Sequence, residues 1–214
     1  MTIQSLAASL SLTLAPVALS AETVKLFNGE DLAGWSFDLK DDGDPAKVWS
    51  VKDGILFCTG SPVGVMRTKE PYRDYELVIE WRWTPGSDGG NSGLLLYAST
   101  PRTRDIWPKC VEVQLESGSA GDFWMLGETL EAAHAPEDRT EGAKIPKFVD
   151  GAENPPGEWN TMKVRAEAGE LIVWINGKLV NQGKNLSARK GAIGLQSEGA
   201  GIQFRKIELT PVGD

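Results

Sequence analysis

Residues 110–116 read C-V-E-V-Q-L-E, an alternation that puts Val111, Val113 and Leu115 on one face of a strand and Glu112, Gln114 and Glu116 on the other. Two carboxylates flanking an amide at every second position stand roughly 7 Å apart, a spacing suited to handling protons and sugar hydroxyls. Residues 75–83 (Y-E-L-V-I-E-W-R-W) alternate in the same way, with Leu77, Ile79, Trp81 and Trp83 on one face, and predict a long core strand. Two apolar runs around Asp53-Gly54 in 48–59 predict a hairpin. Turn residues fill 84–91 and a strand returns at 93–98, so 75–83 and 93–98 are expected to be neighbours. Strands are also expected at 161–166, 171–175, 178–180, 192–196 and 202–209, with burial on one side. Within 192–198, Gln196 and Glu198 oppose Ile193 and Leu195, which repeats the amide and carboxylate pairing of 110–116 on a second strand. Between 118 and 156 the alternation fades into Gly, Pro, Asp and Glu with isolated aromatics, which predicts a loop-rich insertion of the kind that carries function.

A chain of 214 residues with 24 Gly, 12 Pro and turn signals between short strands fits a single all-β domain, a sandwich of two antiparallel sheets. The net charge of −8, with no cluster of Lys and Arg in the sequence, argues against nucleic acid and anionic membrane as partners. Residues 1–21 are uncharged, rich in Leu, Ala and Ser, and end in Ala18-Leu19-Ser20-Ala21; they read as an export signal too interrupted by Ser and Thr to span a membrane. A domain over 22–214 is then expected in the periplasm or outside the cell. Cys58 and Cys110 fall in strand-like segments, where a disulfide and two buried thiols are both open.

An ordered set of short motifs runs through the chain: L-F-N-G-E-D-L-A-G-W, Y-R-D-Y-E-L-V-I-E-W-R-W, N-S-G-L, E-V-Q-L-E, P-P-G-E-W-N, I-N-G-K-L-V, G-L-Q-S-E-G and F-R-K-I-E-L. In this set the chain resembles the 3-keto-disaccharide hydrolase domain family, also described as 3-keto-glycoside lyase and hydratase. The resemblance implies a concanavalin A-like jelly roll whose concave sheet holds the site, and action on glycosides oxidised at C3. Many members resembling this chain carry Asp-His where it has Ser197-Glu198, so the role of that imidazole would pass to Glu198. His134 is the single histidine, which leaves no multi-histidine zinc site; a hard cation such as calcium, held by carboxylates and carbonyls, is compatible with the composition.

A carbonyl at C3 acidifies the proton at C2. A base there starts a β-elimination that expels the group at C1, and water then adds back to the enone. Such chemistry needs a base near C2, donors at the C3 oxygen and an acid near the glycosidic oxygen. For the base, Glu112 ranks first, then Glu198, then His134, which lies in the irregular stretch as a lid residue. Gln114, Gln196 and Asn91 offer amides to sugar hydroxyls, Glu116 a further acid, Phe123 and Trp124 a stacking platform, and Arg67 or Lys109 an electrophilic contact to the C3 enolate. A non-catalytic carbohydrate-binding or laminin G-like module would share the architecture. The doubled pairing of carboxylate and amide favours an enzyme.

Overall fold

Strict alternation at 75–83 becomes a nine-residue strand, Tyr75–Trp83, buried at every second position. The computed structural model describes residues 21–99, 102–135 and 144–213, so the expected export segment lies outside them except for Ala21. Tyr75–Trp83 stands at the middle of an eight-stranded antiparallel sheet, between Asn160–Glu167 and Ile202–Pro211. Glu170–Ile175 and Lys178–Gly183 extend it on one side through the turn at Asn176-Gly177, where both residues take the left-handed conformation that a tight hairpin requires. On the other side stand Ile55–Cys58 and Trp49–Lys52, joined at Asp53-Gly54 as the sequence predicts.

The second sheet has seven antiparallel strands in the order Lys144–Ile145, Phe123–Leu126, Cys110–Gln114, Gly93–Ala98, Ala192–Ser197, Gly64–Thr68, Trp35–Leu39. The core lies between the sheets. Leu77, Ile79, Trp81, Val164 and Phe204 meet Leu94, Leu96, Val111, Val113, Phe123 and Leu195 there, all with essentially no exposed surface. Each such side chain contributes roughly 1.5–3 kcal/mol of burial, which fixes the register and therefore the face on which every intervening polar residue stands.

Three expectations are corrected. Tyr75–Trp83 and Gly93–Ala98 are not neighbours: they belong to different sheets, because the turn-rich 84–92 segment carries the chain from one layer to the other. The irregular insertion contains a strand, Phe123–Leu126, that pairs with Cys110–Gln114. Its alternation is invisible in sequence because Phe123 and Met125 face the core while Trp124 and Leu126, also apolar, stand on the other side. Burial in the second sheet is not one-sided either, since Gly93–Ala98, Cys110–Gln114 and Ala192–Ser197 are buried throughout. On the face away from the core a small cluster, Val65, Leu95, Cys110, Leu126 and Ala192, is covered by Trp107 from the hairpin of Arg102–Arg104 and Trp107–Pro108. Cys58 and Cys110 are free buried thiols on different sheets.

Candidate active site

Register brings the polar residues of three strands into rows on that outer face. Glu112 pairs with Leu95 and with Trp124, one on each side. One step along, Gln114 pairs with Gly93, and Gln196 reaches the same glycine from the neighbouring strand. A further step along, Asn91 pairs with Glu198. A cavity of about 450 Å³ opens over these rows, lined by Asn91, Glu112, Gln114, Glu116, Gln196 and Glu198, with Trp124 at its side. The periodicity of two in residues 110–116 and 192–198 therefore converges on one pocket.

Gly93 makes the convergence possible. A Cβ there would lie 2.5 Å from Gln196 Oε1 and 2.6 Å from Glu112 Oε1, so both side chains fold over a backbone that only glycine leaves open. Burial raises the pKa of Glu112 to about 8, and the nearby Glu198 and Glu116 charges add to the rise, while the Gln196 amide beside it works the other way. The Glu198 carboxyl is raised too, first by burial and then by Glu116. Gln114 Oε1 accepts from the backbone N–H groups of Leu115 (2.8 Å) and Glu116 (2.9 Å), which fixes the side chain and leaves its Nε2 hydrogens to donate into the pocket. Asn91 Oδ1 and Gln196 Oε1 are buried acceptors without a hydrogen-bond partner among the described residues. An unpaired buried acceptor costs roughly 1–3 kcal/mol, which a ligand hydroxyl donating to it would relieve.

Two residues that the sequence reading missed complete the wall. Arg104 and Trp107 reach the cavity from the hairpin, where no alternation singles them out. Among the described residues that line the cavity, Arg104 is the one cation beside Glu112, Glu116 and Glu198. Gly93 was also missed, though a glycine inside an apolar run is itself a signal of close approach.

Phe123 turns into the core between the sheets and offers no stacking face, and three further expected site residues stand elsewhere. His134 lines a different cavity, of about 270 Å³, beside Lys178–Gly183 of the other sheet. Its Nε2 is 3.0 Å from Asn181 Oδ1 and its ring meets Phe148 edge-on, so packing holds it away from the Glu112 pocket. Arg67 does stand on the outer face, but in the row Glu112, Leu95, Gly194, Arg67 it is three strands from Glu112, about 14 Å at ordinary strand spacing. That distance is too great for both to serve adjacent carbons of one ring. Lys109 lies near Arg67, paired with Glu128 at 3.2 Å. Among the described residues no group of three or more His, Cys, Asp or Glu is arranged to hold a metal ion, and no helix is long and apolar enough to cross a membrane.

A domain family described as "3-keto-alpha-glucoside-1,2-lyase-like domain" matches residues 22–210. The chain belongs to this family. Membership makes it a carbohydrate-active domain, in agreement with the family resemblance of the motifs. The fold is shared with a candidate glycosyl hydrolase from Parabacteroides distasonis ATCC 8503, 23% identical over 89% of this chain and 100% of that one, with a TM-score of 0.63. It is shared as well with the carbohydrate binding module CBM66 from Bacillus subtilis (14% identity, 82% and 94% of the chains, TM-score 0.55). The Bacillus licheniformis β-glucanase is a third relative in fold (11% identity, 92% and 100% of the chains, TM-score 0.59). At such identities these likenesses describe the jelly-roll sandwich alone. No curated protein matches the chain significantly.

Proposed function

We propose that this protein cleaves 3-keto-glycosides by elimination across C1 and C2 followed by hydration. One observation carries the reading: Glu112, a buried carboxyl with a pKa of about 8, lies in a pocket of sugar size beside two further carboxyls and three amides. A carboxylate of ordinary pKa is a weak base toward a proton acidified only by a neighbouring ketone. Raising its pKa to near the working pH strengthens it while leaving a usable ionised fraction.

In the first step Glu112 takes the C2 proton and the electron pair moves toward the C3 oxygen. Gln114 Nε2 and the Arg104 guanidinium are the donors available to that oxyanion. The pair then returns to form the C1–C2 double bond as the C1–O bond breaks, and Glu198, raised by burial, supplies the proton that the departing oxygen needs. Water adds across the double bond, with oxygen to C1 and a proton to C2, and releases the 3-keto sugar. Trp124 and Trp107 offer ring faces to the pyranose, and Asn91 and Gln196 offer unpaired acceptors to its hydroxyls.

The test is incubation of the purified protein with a 3-keto-glucoside beside its unoxidised twin, with and without a chelator. Release of aglycone from the oxidised sugar alone is expected. Tight binding with no turnover across a panel of 3-keto-glycosides would instead favour a carbohydrate-binding module.

A further inference from the structure

The outer face carries a second cavity, of about 650 Å³, whose electrostatic character is opposite to the first. Among the described residues that line it, Arg67, Lys69, Lys109 and Lys190 stand against a single carboxylate, Glu128. Glu128 is buried and already engaged, by Lys109 Nζ at 3.2 Å and by the Ser187 hydroxyl. Arg67, Lys69 and Lys190 form no ion pair among the described residues, in a chain whose net charge is −8. Unneutralised cations gathered in a concavity of an acidic protein hold a local positive potential.

Arg67 is half-buried within the strand Gly64–Thr68, and its guanidinium is held by Ser99 O (2.8 Å) and Ser36 Oγ (3.4 Å). These bonds leave Nη2 without a partner among the described residues. A positioned guanidinium with spare N–H groups is the usual receptor for an oxyanion. Val65, Leu95 and Ala192 form an apolar strip on the same face, with Trp107 packed against it. The separation of about 14 Å between Glu112 and Arg67 is on the scale of a sugar ring joined to a second ring.

We propose that this basic cavity binds an oxyanion, a carboxylate or sulfate, carried by the aglycone of the glycoside whose C2 proton meets Glu112. The assignment deepens the reading of the Glu112 pocket and rests on it. An anionic aglycone would run past Trp107 and dock on Arg67 and Lys190, away from the acidic pocket that would repel it.

Binding is measured by calorimetry at low ionic strength on the whole chain carrying Glu112→Gln, so that turnover does not intervene. The ligands are a neutral aryl 3-keto-glucoside, its twin with a carboxylate on the aryl ring, and free benzoate. The carboxylated glucoside is expected to bind roughly tenfold or more tightly than the neutral one, and the difference should fade as salt is added. Lys190→Met removes an exposed charge that makes no hydrogen bond or ion pair among the described residues, and adding Arg67→Met should erase the preference while neutral-ligand affinity holds. Benzoate binding lost in the same double variant would show that the anion is recognised by itself, and absence of benzoate binding that it is recognised only on the glycoside; both agree with an oxyanion cavity. Equal affinity for the glucoside pair, or a preference that survives both substitutions, would overturn the assignment. Turnover of the neutral glucoside by the wild-type protein reports on the Glu112 pocket alone, so the two readings fail separately.

Discussion

Burial acts on Glu112 in two ways, one seen in the reaction and one in stability. Its pKa of about 8 means that the ionised base accumulates as pH rises, so kcat/KM for a 3-keto-glucoside should climb through about pH 8 before levelling. Stability runs the opposite way. Below about pH 4.5 the folded and unfolded chains both hold the proton; between about 4.5 and 8 only the folded chain does, so stability falls across that window and stays lower above it. Glu112→Gln removes the titration. Its melting temperature relative to wild type should therefore rise from pH 5 to pH 9, with a free-energy gain of order 2–4 kcal/mol at the upper end; a difference that does not change with pH would contradict the burial argument. Gly93→Ala tests the packing beneath. The added methyl meets the ends of two flexible side chains, so the sheet should stay folded while Glu112 and Gln196 are pushed aside. Turnover should drop roughly tenfold to a hundredfold with little change in the circular dichroism spectrum.

Strand periodicity made the pocket floor legible, because Glu112, Gln114, Gln196 and Glu198 each alternate with residues that the core buries. Periodicity fixes a face. It does not say which strands are neighbours, which is why Gly93–Ala98 was expected beside Tyr75–Trp83 and instead pairs with Cys110–Gln114 and Ala192–Ser197. It also fails where both faces are apolar, as in Phe123–Leu126, and where a lone residue such as His134 has no pattern to place it. The hairpin of Arg102–Arg104 and Trp107–Pro108 was the least legible element, since its position depends on contacts far along the chain: Arg102 binds Asp38, and Trp107 packs against the cluster that includes Val65, Leu95 and Ala192. Trp107→Ala should weaken sugar binding by about tenfold through the lost ring contact. The Arg102 to Asp38 pair is exposed and screened by water, so Arg102→Ala should leave the melting temperature nearly unchanged. Equilibrium binding and thermal melts of the two variants check both expectations.

Across the whole molecule, one sheet encloses the core with an outward surface of paired charges, while the other gives both faces to packing and so can hold buried carboxyls next to solvent. That division is what permits an acidic pocket and a basic cavity on one sheet without collapse of either. The chain as a whole is proposed to be exported, and mass spectrometry of the protein from its native host should find a mature N-terminus at or near Glu22; a product that keeps Met1 in the cytoplasm would contradict this. Within the proposed reaction, Glu112 removes the proton at C2. This step is tested most directly by following deuterium exchange at C2 of a 3-keto-glucoside in heavy water, with wild type and Glu112→Gln side by side. Exchange and aglycone release by wild type are expected, both lowered together by roughly two to four orders of magnitude in the variant. Exchange at the wild-type rate in Glu112→Gln would contradict this role for Glu112.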